Sequence, residues 1–254
     1  MTRPAVLVTG GARRIGAAIS RRFGEAGWHV LVHCRRSAEA AEALARELPS
    51  AEVVQCDFAD GDATAAMVRE LAGRQREWRC LVNSAAVFAP DSATDLDPAT
   101  NAEAMAINAA APLRLAQLFL AQAQSSAGRR VIQLTDQKLA NPNPDFLSYT
   151  MSKAAVDCGS QLLAMAARGN DRVYRLAPGA ILASHDQSEA EAEVSHRMNL
   201  LGRRTTAREV ADAALFLAEG PLTNGQQLFV DSGQHLLSQP RDVIYLARQG
   251  ESDT

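Results

Sequence analysis

The sequence has no excess of basic residues, no long apolar run and no cluster of cysteines. Its 254 residues carry 26 Lys and Arg against 29 Asp and Glu, a formal net charge of −3, which argues against a protein that coats nucleic acid. No uninterrupted apolar run approaches the ~20 residues that span a bilayer, and no signal-peptide apolar region precedes the first strand-like run. We therefore expect a cytoplasmic protein without nucleic-acid or membrane partners.

The four cysteines show no paired spacing, and no His, Cys or Asp spacing is typical of a metal site. Cys34, Cys56, Cys80 and Cys158 are interpreted as buried thiols in a reducing compartment. Disulfide and metal chemistry are thus not expected.

Short apolar runs bounded by Gly, Asn, Asp or Pro alternate with longer amphipathic stretches. The runs that predict strands are Ala5–Thr9, His29–His33, Glu52–Asp57, Cys80–Asn83, Arg130–Thr135, Arg172–Leu176 and Gln227–Val230. The stretches that predict helices include Ile15–Ala26, Ala38–Glu47, Ala63–Arg74 and Asn101–Ser125. This alternation predicts a doubly wound, Rossmann-like α/β fold, with a parallel sheet covered by helices on both faces. We expect one domain over 1–254.

Two segments stand apart from this pattern. The polar stretch 182–204 is a candidate mobile substrate lid. For His185 and His196, which lie in it, solvated lid positions are favoured and substrate contact is the alternative. The charged tail beyond Gln239 is expected to be ordered only through subunit contacts.

A glycine-rich turn, TGGARRIG, follows the first strand at Thr9–Gly16. Between a strand and a helix, such a turn brings backbone N–H groups and the positive helix end against a pyrophosphate. Gly10 and Gly16 keep Cβ atoms out of the way. An ordinary βα loop is the less favoured alternative.

The second strand ends without the carboxylate that commonly binds the 2′-hydroxyl of NAD. Arg35 and Arg36 stand there instead, and guanidinium groups suit a 2′-phosphate. Ser37 adds a hydrogen bond or caps the next helix, and Asp57 accepts from the adenine amine or shapes a turn. The pattern favours NADP(H), with a solvated basic loop as the alternative.

Tyr149 and Lys153 are spaced by four residues at the start of a predicted helix, so they share one helix face. A nearby ammonium is expected to lower the pKa of the tyrosine and make it a better acid–base catalyst. Lys153 would also reach the nicotinamide ribose. Asn108, in the preceding long helix, is a candidate for holding a relay water, or it is an amide at a helix bend.

The turn, Asn83–Ala86, Asn108, Tyr149 with Lys153, Pro178-Gly179 and Val230–Gly233 together resemble the short-chain dehydrogenase/reductase family over nearly the whole chain. The resemblance implies a seven-stranded doubly wound sheet, a homo-oligomer (dimer or tetramer), and hydride transfer with Tyr149 as proton donor. The expected cofactor-binding residues are Gly10, Arg13, Arg14, Ile15, Arg35, Arg36, Ser37, Asp57, Phe58, Asn83, Ala85, Tyr149, Lys153, Pro178 and Gly179.

Two departures from the family pattern bear on the substrate. The middle glycine of the turn is Arg14, and the usual catalytic serine is Asp136. A carboxylate repels a developing alkoxide, so either Asp136 is protonated or the substrate is not a simple ketone. Reduction of a C=N bond instead requires a proton on nitrogen. Phe88 would then offer a flat face opposite the nicotinamide, with a planar ring between the two, and Arg14 would project over the cofactor phosphates toward a polar ring oxygen or nitrogen.

Arg14, Phe88, Asp136, Tyr149 and Lys153, with Arg36-Ser37 and Asp231–Leu236, resemble the pteridine reductases and the dihydromonapterin (dihydrofolate) reductase group of the family. This resemblance implies NADPH-dependent reduction of a dihydropterin or dihydrofolate to the tetrahydro form, tetrahydrobiopterin being one such product. Arg14, Phe88, Asp136 and Tyr149 would contact the substrate. The alternatives are reduction of another small carbonyl or imine, and a non-catalytic NADP(H)-binding sensor, against which the intact Tyr149 and Lys153 argue.

Overall fold

The computed structural model describes residues 3–184 and 187–252. Within these ranges, parallel strands form one sheet in the order β3-β2-β1-β4-β5-β6-β7. The strands are β1 (Ala5–Thr9), β2 (His29–Cys34), β3 (Ala51–Gln55), β4 (Trp78–Asn83), β5 (Arg130–Leu134), β6 (Arg172–Pro178) and β7 (Gln227–Val230). The predicted seven-stranded Rossmann-like sheet is confirmed.

Helices cover both faces of the sheet because the side chains of each strand alternate between the faces. Val6 and Val8 of β1 pack with helix residues such as Phe23 on one face, whereas Leu7 packs with residues such as Phe119 on the other. The helices are α1 (Arg14–Glu25), α2 (Ala38–Glu47), α3 (Gly61–Arg74), α4 (Pro98–Ala104), α5 (Ala111–Gln122), α6 (Leu147–Ala166), α7 (Glu189–Ser195), α8 (Ala207–Glu219) and α9 (Val243–Ser252).

A π-helical turn, Met105–Ala110, joins α4 to α5, so that Pro98–Gln122 is continuous. By length and composition this helix alone, among the described residues, could cross a membrane. Its Leu115 and Phe119 are fully buried in the core against the sheet. We therefore interpret it as a core helix.

Two expectations are corrected. Cys158 is exposed on α6, whereas the other three cysteines are buried. The start of the segment after Gln239 makes contacts within its own chain, whereas order through subunit contacts alone was expected. Arg241 donates to the Asp145 carboxylate at 2.8 Å, and the backbone N–H of Asp242 donates to the same carboxylate at 2.7 Å.

Candidate active site

A cavity of about 640 Å³ opens at the carboxyl ends of the strands, where ligands bind in doubly wound sheets. Loops that follow β1, β2, β3, β4, β5 and β6 all contribute to its wall. The predicted site residues that line it are Gly10, Arg13, Arg14, Ile15, Arg35, Asp57, Phe58, Ala85, Phe88, Asp136, Tyr149, Lys153, Pro178 and Gly179. The sheet topology thus brings together residues from most of the chain.

The β1–α1 turn is shaped to receive an anion. Gly10 has a φ of +61°, and a Cβ added to Gly16 would lie 2.2 Å from the Gly10 carbonyl oxygen. No side chain of the described residues caps the N-terminus of α1, so its first N–H groups face the cavity without a side-chain partner. A phosphate fits this cradle, in which a side chain at either glycine would be crowded or strained.

Arg14 lies in this turn with a φ of 53°. Its guanidinium donates to the carbonyl oxygens of Leu182 and Ala183 at 3.2 and 2.9 Å. The side chain therefore ties the turn to the first residues of the segment 182–204. This contact joins residues 168 and 169 positions apart in the chain, and local sequence patterns carry no signal for it.

His33 organises the end of the site near which the sequence predicts that it packs, beside the cofactor. Its Nδ1 accepts from the Gly10 N–H at 3.1 Å, its Nε2 lies 3.0 Å from the Cys56 carbonyl oxygen, and its ring stacks on Phe58 with centroids 4.1 Å apart. Burial lowers the pKa of His33 to about 4, so the ring is neutral at pH 7 and can accept from Gly10. The histidine thereby joins the turn to the loop after β3.

Four predicted residues do not line the cavity: Arg36, Ser37, Asn83 and Asn108. Arg36 is exposed, and the Ser37 side chain does not cap α2. The Asn83 amide is buried and donates to the Pro112 carbonyl at 3.1 Å. Direct cofactor contacts of these side chains therefore stay predictions.

Asn108 lies in the π-helical turn, and neighbouring groups occupy both ends of its amide. The amide oxygen accepts from the Val87 N–H at 2.8 Å, and the amide nitrogen donates to the Val87 carbonyl and to Ser152 Oγ at 2.9 and 3.1 Å. The π-helical turn is a helix irregularity of the kind that one of the two interpretations of Asn108 expects, and the relay-water role stays a prediction. Asn108 fixes the loop before Phe88 against α6.

Asp136 and Tyr149 form a hydrogen-bonded pair in the cavity wall. The Tyr149 hydroxyl donates to Oδ2 of Asp136 at 2.7 Å, and the Lys138 backbone N–H donates to Oδ1 at 2.8 Å. Burial raises the pKa of the Asp136 carboxyl, and the Lys138 N–H, the Tyr149 hydroxyl and the lysine charges oppose that rise only in part. The site thus favours an acidic proton on this carboxyl more than water does.

The pKa of Tyr149 is raised in this structure, whereas the sequence-based expectation was a pKa lowered by Lys153. Burial and the Asp136 carboxyl raise the pKa of Tyr149 well above its usual value. The Lys153 ammonium donates to the Leu134 carbonyl at 2.7 Å and lies 5.6 Å from the Tyr149 ring centroid. Burial lowers the pKa of Lys153 to about 8, which keeps it mostly charged at pH 7.

An aromatic wall faces the Asp136–Tyr149 pair. The rings of Phe88 and Tyr149 form a T-shaped pair, with centroids 4.8 Å apart and an interplanar angle of 87°. Phe88 also stacks on Phe146, with centroids 4.3 Å apart. Phe146 in turn stacks on Tyr245 of α9 at 5.7 Å. Phe88 remains 36% exposed, and its contact with a flat substrate stays a prediction. The support from Phe146 and Tyr245 was not foreseen.

The segment 182–204 contains a helix and a buried histidine. Ser188 and Glu191 form a capping box at the start of α7, which explains why this polar stretch is helical. His196 is buried and lines the cavity, and its Nδ1 has no hydrogen-bond partner among the described residues. The expectation that it is a solvated lid residue is wrong, because the residues around it exclude solvent. His185 lies outside the described residues.

The lysine two positions after Asp136 is a further residue that sequence reasoning missed. Lys138 is buried, and its ammonium donates to Oδ2 of Asp242 at 3.0 Å and to the Asp145 carbonyl at 2.7 Å. Asp242 and Ile244, at the start of the C-terminal segment, line the cavity. The partners lie up to 104 positions apart, so no local pattern predicts the pairing.

The fold and the site define a Rossmann-type oxidoreductase. A family model described as enoyl-(acyl carrier protein) reductase matches residues 10–235. The chain belongs to the short-chain dehydrogenase/reductase family.

Three relatives are similar over nearly their whole length. The structure of FolM alternative dihydrofolate reductase 1 from Brucella canis, complexed with NADP, is 33% identical with a TM-score of 0.87, covering 94% of this chain and 96% of that one. Dihydromonapterin reductase from Escherichia coli O6:K15:H31 is 26% identical, covering 91% and 96%. L-fucose dehydrogenase from Bos taurus is 30% identical, covering 91% and 89%.

The family uses NAD(P), and the Brucella protein was crystallised with NADP. The predicted cofactor, NADP(H), is therefore confirmed. The glycine cradle of the β1–α1 turn has room for a pyrophosphate. Arg35 and Lys153 line the same cavity, and their contacts with the two riboses of the cofactor stay predictions. When bound, the reduced cofactor supplies a hydride.

Proposed function

We propose that this chain is an NADPH-dependent reductase of a pterin-type substrate, which converts a dihydropterin or dihydrofolate to its tetrahydro form. The observation that carries the proposal is the hydrogen bond between Tyr149 and Asp136, 2.7 Å long, at the position where ketone reductases of the family place a serine. The names of the Brucella and Escherichia coli relatives support the same substrate class.

The chemistry of a C=N reduction fits a carboxyl at this position. A hydride adds to carbon, and the nitrogen of the same bond takes up a proton, so that C=N becomes CH–NH. Because burial raises the pKa of Asp136, the Asp136–Tyr149 pair retains an acidic proton into a higher pH range than a free carboxyl. The pair then acts as general acid toward a ring nitrogen within reach.

The surrounding walls suit a planar heterocycle. Phe88 provides an aromatic face beside Tyr149, and such rings stack on flat ligands. Arg14, in the β1–α1 turn, lines the same cavity. After release from the carbonyls of Leu182 and Ala183, its guanidinium would donate to a ring oxygen or nitrogen.

A second candidate is reduction of another small carbonyl or imine, and the similarity to L-fucose dehydrogenase favours it. In that case Asp136 would have to donate from its protonated form to a carbonyl oxygen. A non-catalytic NADP(H) sensor is the third candidate. Such a protein has no need for the Tyr149 hydroxyl, so a Tyr149→Phe variant with an unchanged biological effect would favour it.

The test is NADPH oxidation with dihydromonapterin, dihydrobiopterin and dihydrofolate in parallel, each with an NADH control and with Tyr149→Phe as the inactive reference. We expect turnover of at least one pterin, with preference for NADPH. Turnover of ketones or sugars but of no pterin would move the substrate to the second candidate. Binding of NADPH without turnover of any compound would favour the sensor.

Further proposals concern organisation. We propose that residues 1–254 act as one domain, that 182–204 serves as a substrate lid, and that the protein is a cytoplasmic homo-oligomer, a dimer or tetramer. The exposed Leu162 and Met165 on α6, with 62% and 84% exposure, offer apolar area for a second copy. Light scattering after size exclusion tests the assembly, and a monomeric mass at micromolar concentration would contradict it.

A further inference from the structure

The loop after β5 and the start of the C-terminal segment meet in a buried charge pair beside the Asp136–Tyr149 pair. The Lys138 side chain is 6% exposed and the Asp242 side chain 16% exposed, with 3.0 Å between the ammonium and the carboxylate. The ammonium also lies 5.3 Å from the Phe146 ring centroid. An ammonium this buried requires partners on several sides, and it has them here.

Lys138 makes two different connections, one through its backbone and one through its side chain. Its backbone N–H holds Oδ1 of Asp136, which leaves Oδ2 to accept from Tyr149. Its ammonium holds Asp242, which lines the same cavity. Lys138 therefore connects the C-terminal segment to the Asp136 carboxyl through these two contacts.

We propose that Lys138 and Asp242 are positioning residues, which seat the C-terminal segment as a wall of the substrate cavity and hold the Asp136 carboxyl against Tyr149. The proposal rests on the function proposed above for Asp136. Neither residue contacts the reacting atoms, and both act through the Asp136–Tyr149 pair.

The charged and titratable groups at the Asp136–Tyr149 pair come from three segments. Asp136 and Lys138 lie after β5, and Tyr149 and Lys153 lie on α6. Asp242 precedes α9, and Asp145, before α6, is neutralised by Arg241. The Lys138 charge opposes the burial that raises the pKa of Asp136, whereas the Asp242 charge adds to the rise in the pKa of Tyr149. Lys138 and Asp242 therefore shift the pKa values of the Asp136–Tyr149 pair in opposite directions.

This opposition gives a test that a merely structural role would not satisfy. In Lys138→Met the alkaline limb of the kcat profile should move to higher pH, by roughly half a unit or more, because the carboxyl keeps its proton longer. In Asp242→Asn it should move to lower pH. The matched control Lys138→Arg keeps the charge and should keep the wild-type profile.

Carboxyl-carbon NMR of Asp136, assigned with Asp136→Asn, gives a readout that needs no turnover. The titration midpoint of Asp136 should rise in Lys138→Met and fall in Asp242→Asn, even if no pterin is reduced. Shifts of the same sign in both variants, or none in either, would overturn the proposal. Opposite shifts without pterin turnover would leave the positioning role intact and refute only the proposed substrate.

Discussion

The Tyr149 hydroxyl donates to Oδ2 of Asp136 at 2.7 Å, while the Lys153 ammonium is turned to the Leu134 carbonyl. In the proposed mechanism the acid–base unit is therefore this phenol–carboxyl pair, with the Lys153 charge beside it. This differs from the sequence-based expectation, in which Lys153 acts on Tyr149 directly. The pKa values of both members of the pair are raised, so each keeps its proton to a higher pH than it would in water.

Removal of the Tyr149 hydroxyl should abolish most turnover. We expect kcat of Tyr149→Phe to fall by about 10²–10⁴-fold, the usual contribution of a positioned general acid, with little change in the Kd of NADPH measured by fluorescence titration. Tyr174→Phe is the matched control, because it removes a buried hydroxyl bonded to the Leu222 carbonyl, outside the cavity lining. Equal losses in the two variants would contradict the assignment of the proton donor.

Arg35 should discriminate NADPH from NADH. It lines the cavity, whereas Arg36 is exposed and does not. A charge-assisted hydrogen bond contributes about 1.5–3 kcal/mol, so Arg35→Gln should reduce the ratio of kcat/KM for NADPH to that for NADH by about 10–100-fold. Arg36→Gln should change it less. A larger effect at Arg36 would place the 2′-phosphate outside the cavity rim.

Gly16 should tolerate no side chain. An added Cβ would lie 2.2 Å from the Gly10 carbonyl oxygen. Because the neighbouring atoms belong to the backbone, relief of this clash requires the turn itself to move. We expect Gly16→Ala to destabilise the fold by about 2–4 kcal/mol in urea unfolding and to weaken NADPH binding. Gly73→Ala is the control, since an added Cβ there meets nothing within 4 Å, and a helical Gly→Ala change should stabilise by about 0.5 kcal/mol. Wild-type NADPH affinity in Gly16→Ala would refute the cradle.

His33 should make the fold sensitive to acid. Burial lowers its folded-state pKa to about 4 from 6.5, so the unfolded chain takes up the proton first as the pH falls. The contribution of His33 is full above pH 6.5 and is lost as the pH falls toward 4, with a total of about 3 kcal/mol of unfolding free energy.

The measurement is urea unfolding of wild type and His33→Asn at several pH values between 6.5 and 4.5. Asparagine keeps an oxygen acceptor for the Gly10 N–H but has no titration, so the variant should lose less stability over this range. Parallel curves for the two proteins would show that His33 titrates as an ordinary surface histidine.

Most of the sheet was predictable because buried parallel strands have strong apolar runs with clear boundaries. The error at β4 came from Trp78, whose buried ring extends the strand two residues before the predicted start at Cys80. The helix predicted from Asn101 begins at Pro98, because Asp97 caps it. The cap is a local signal, but the prediction used only the spacing of apolar residues.

The site was predictable where one segment carries the signal, as in the turn from Gly10 to Gly16 and in the spacing of Tyr149 and Lys153. It was not predictable where segments far apart in sequence meet. The Lys138–Asp242 pair and the link from Arg14 to Ala183 each depend on the folded sheet to bring the partners together. The raised pKa of Tyr149 likewise depends on burial, which the sequence does not give.

The most direct test of the account is a comparison of wild type with Asp136→Ser. The measurement is kcat/KM for NADPH oxidation with dihydromonapterin and with a small cyclic ketone. The serine restores the usual ketone-reductase hydroxyl and removes the acidic proton, so we expect pterin reduction to fall by about 10²-fold or more and ketone reduction to stay level or rise. Pterin reduction that persists at the wild-type rate in Asp136→Ser would contradict the role of Asp136, and with it the central claim.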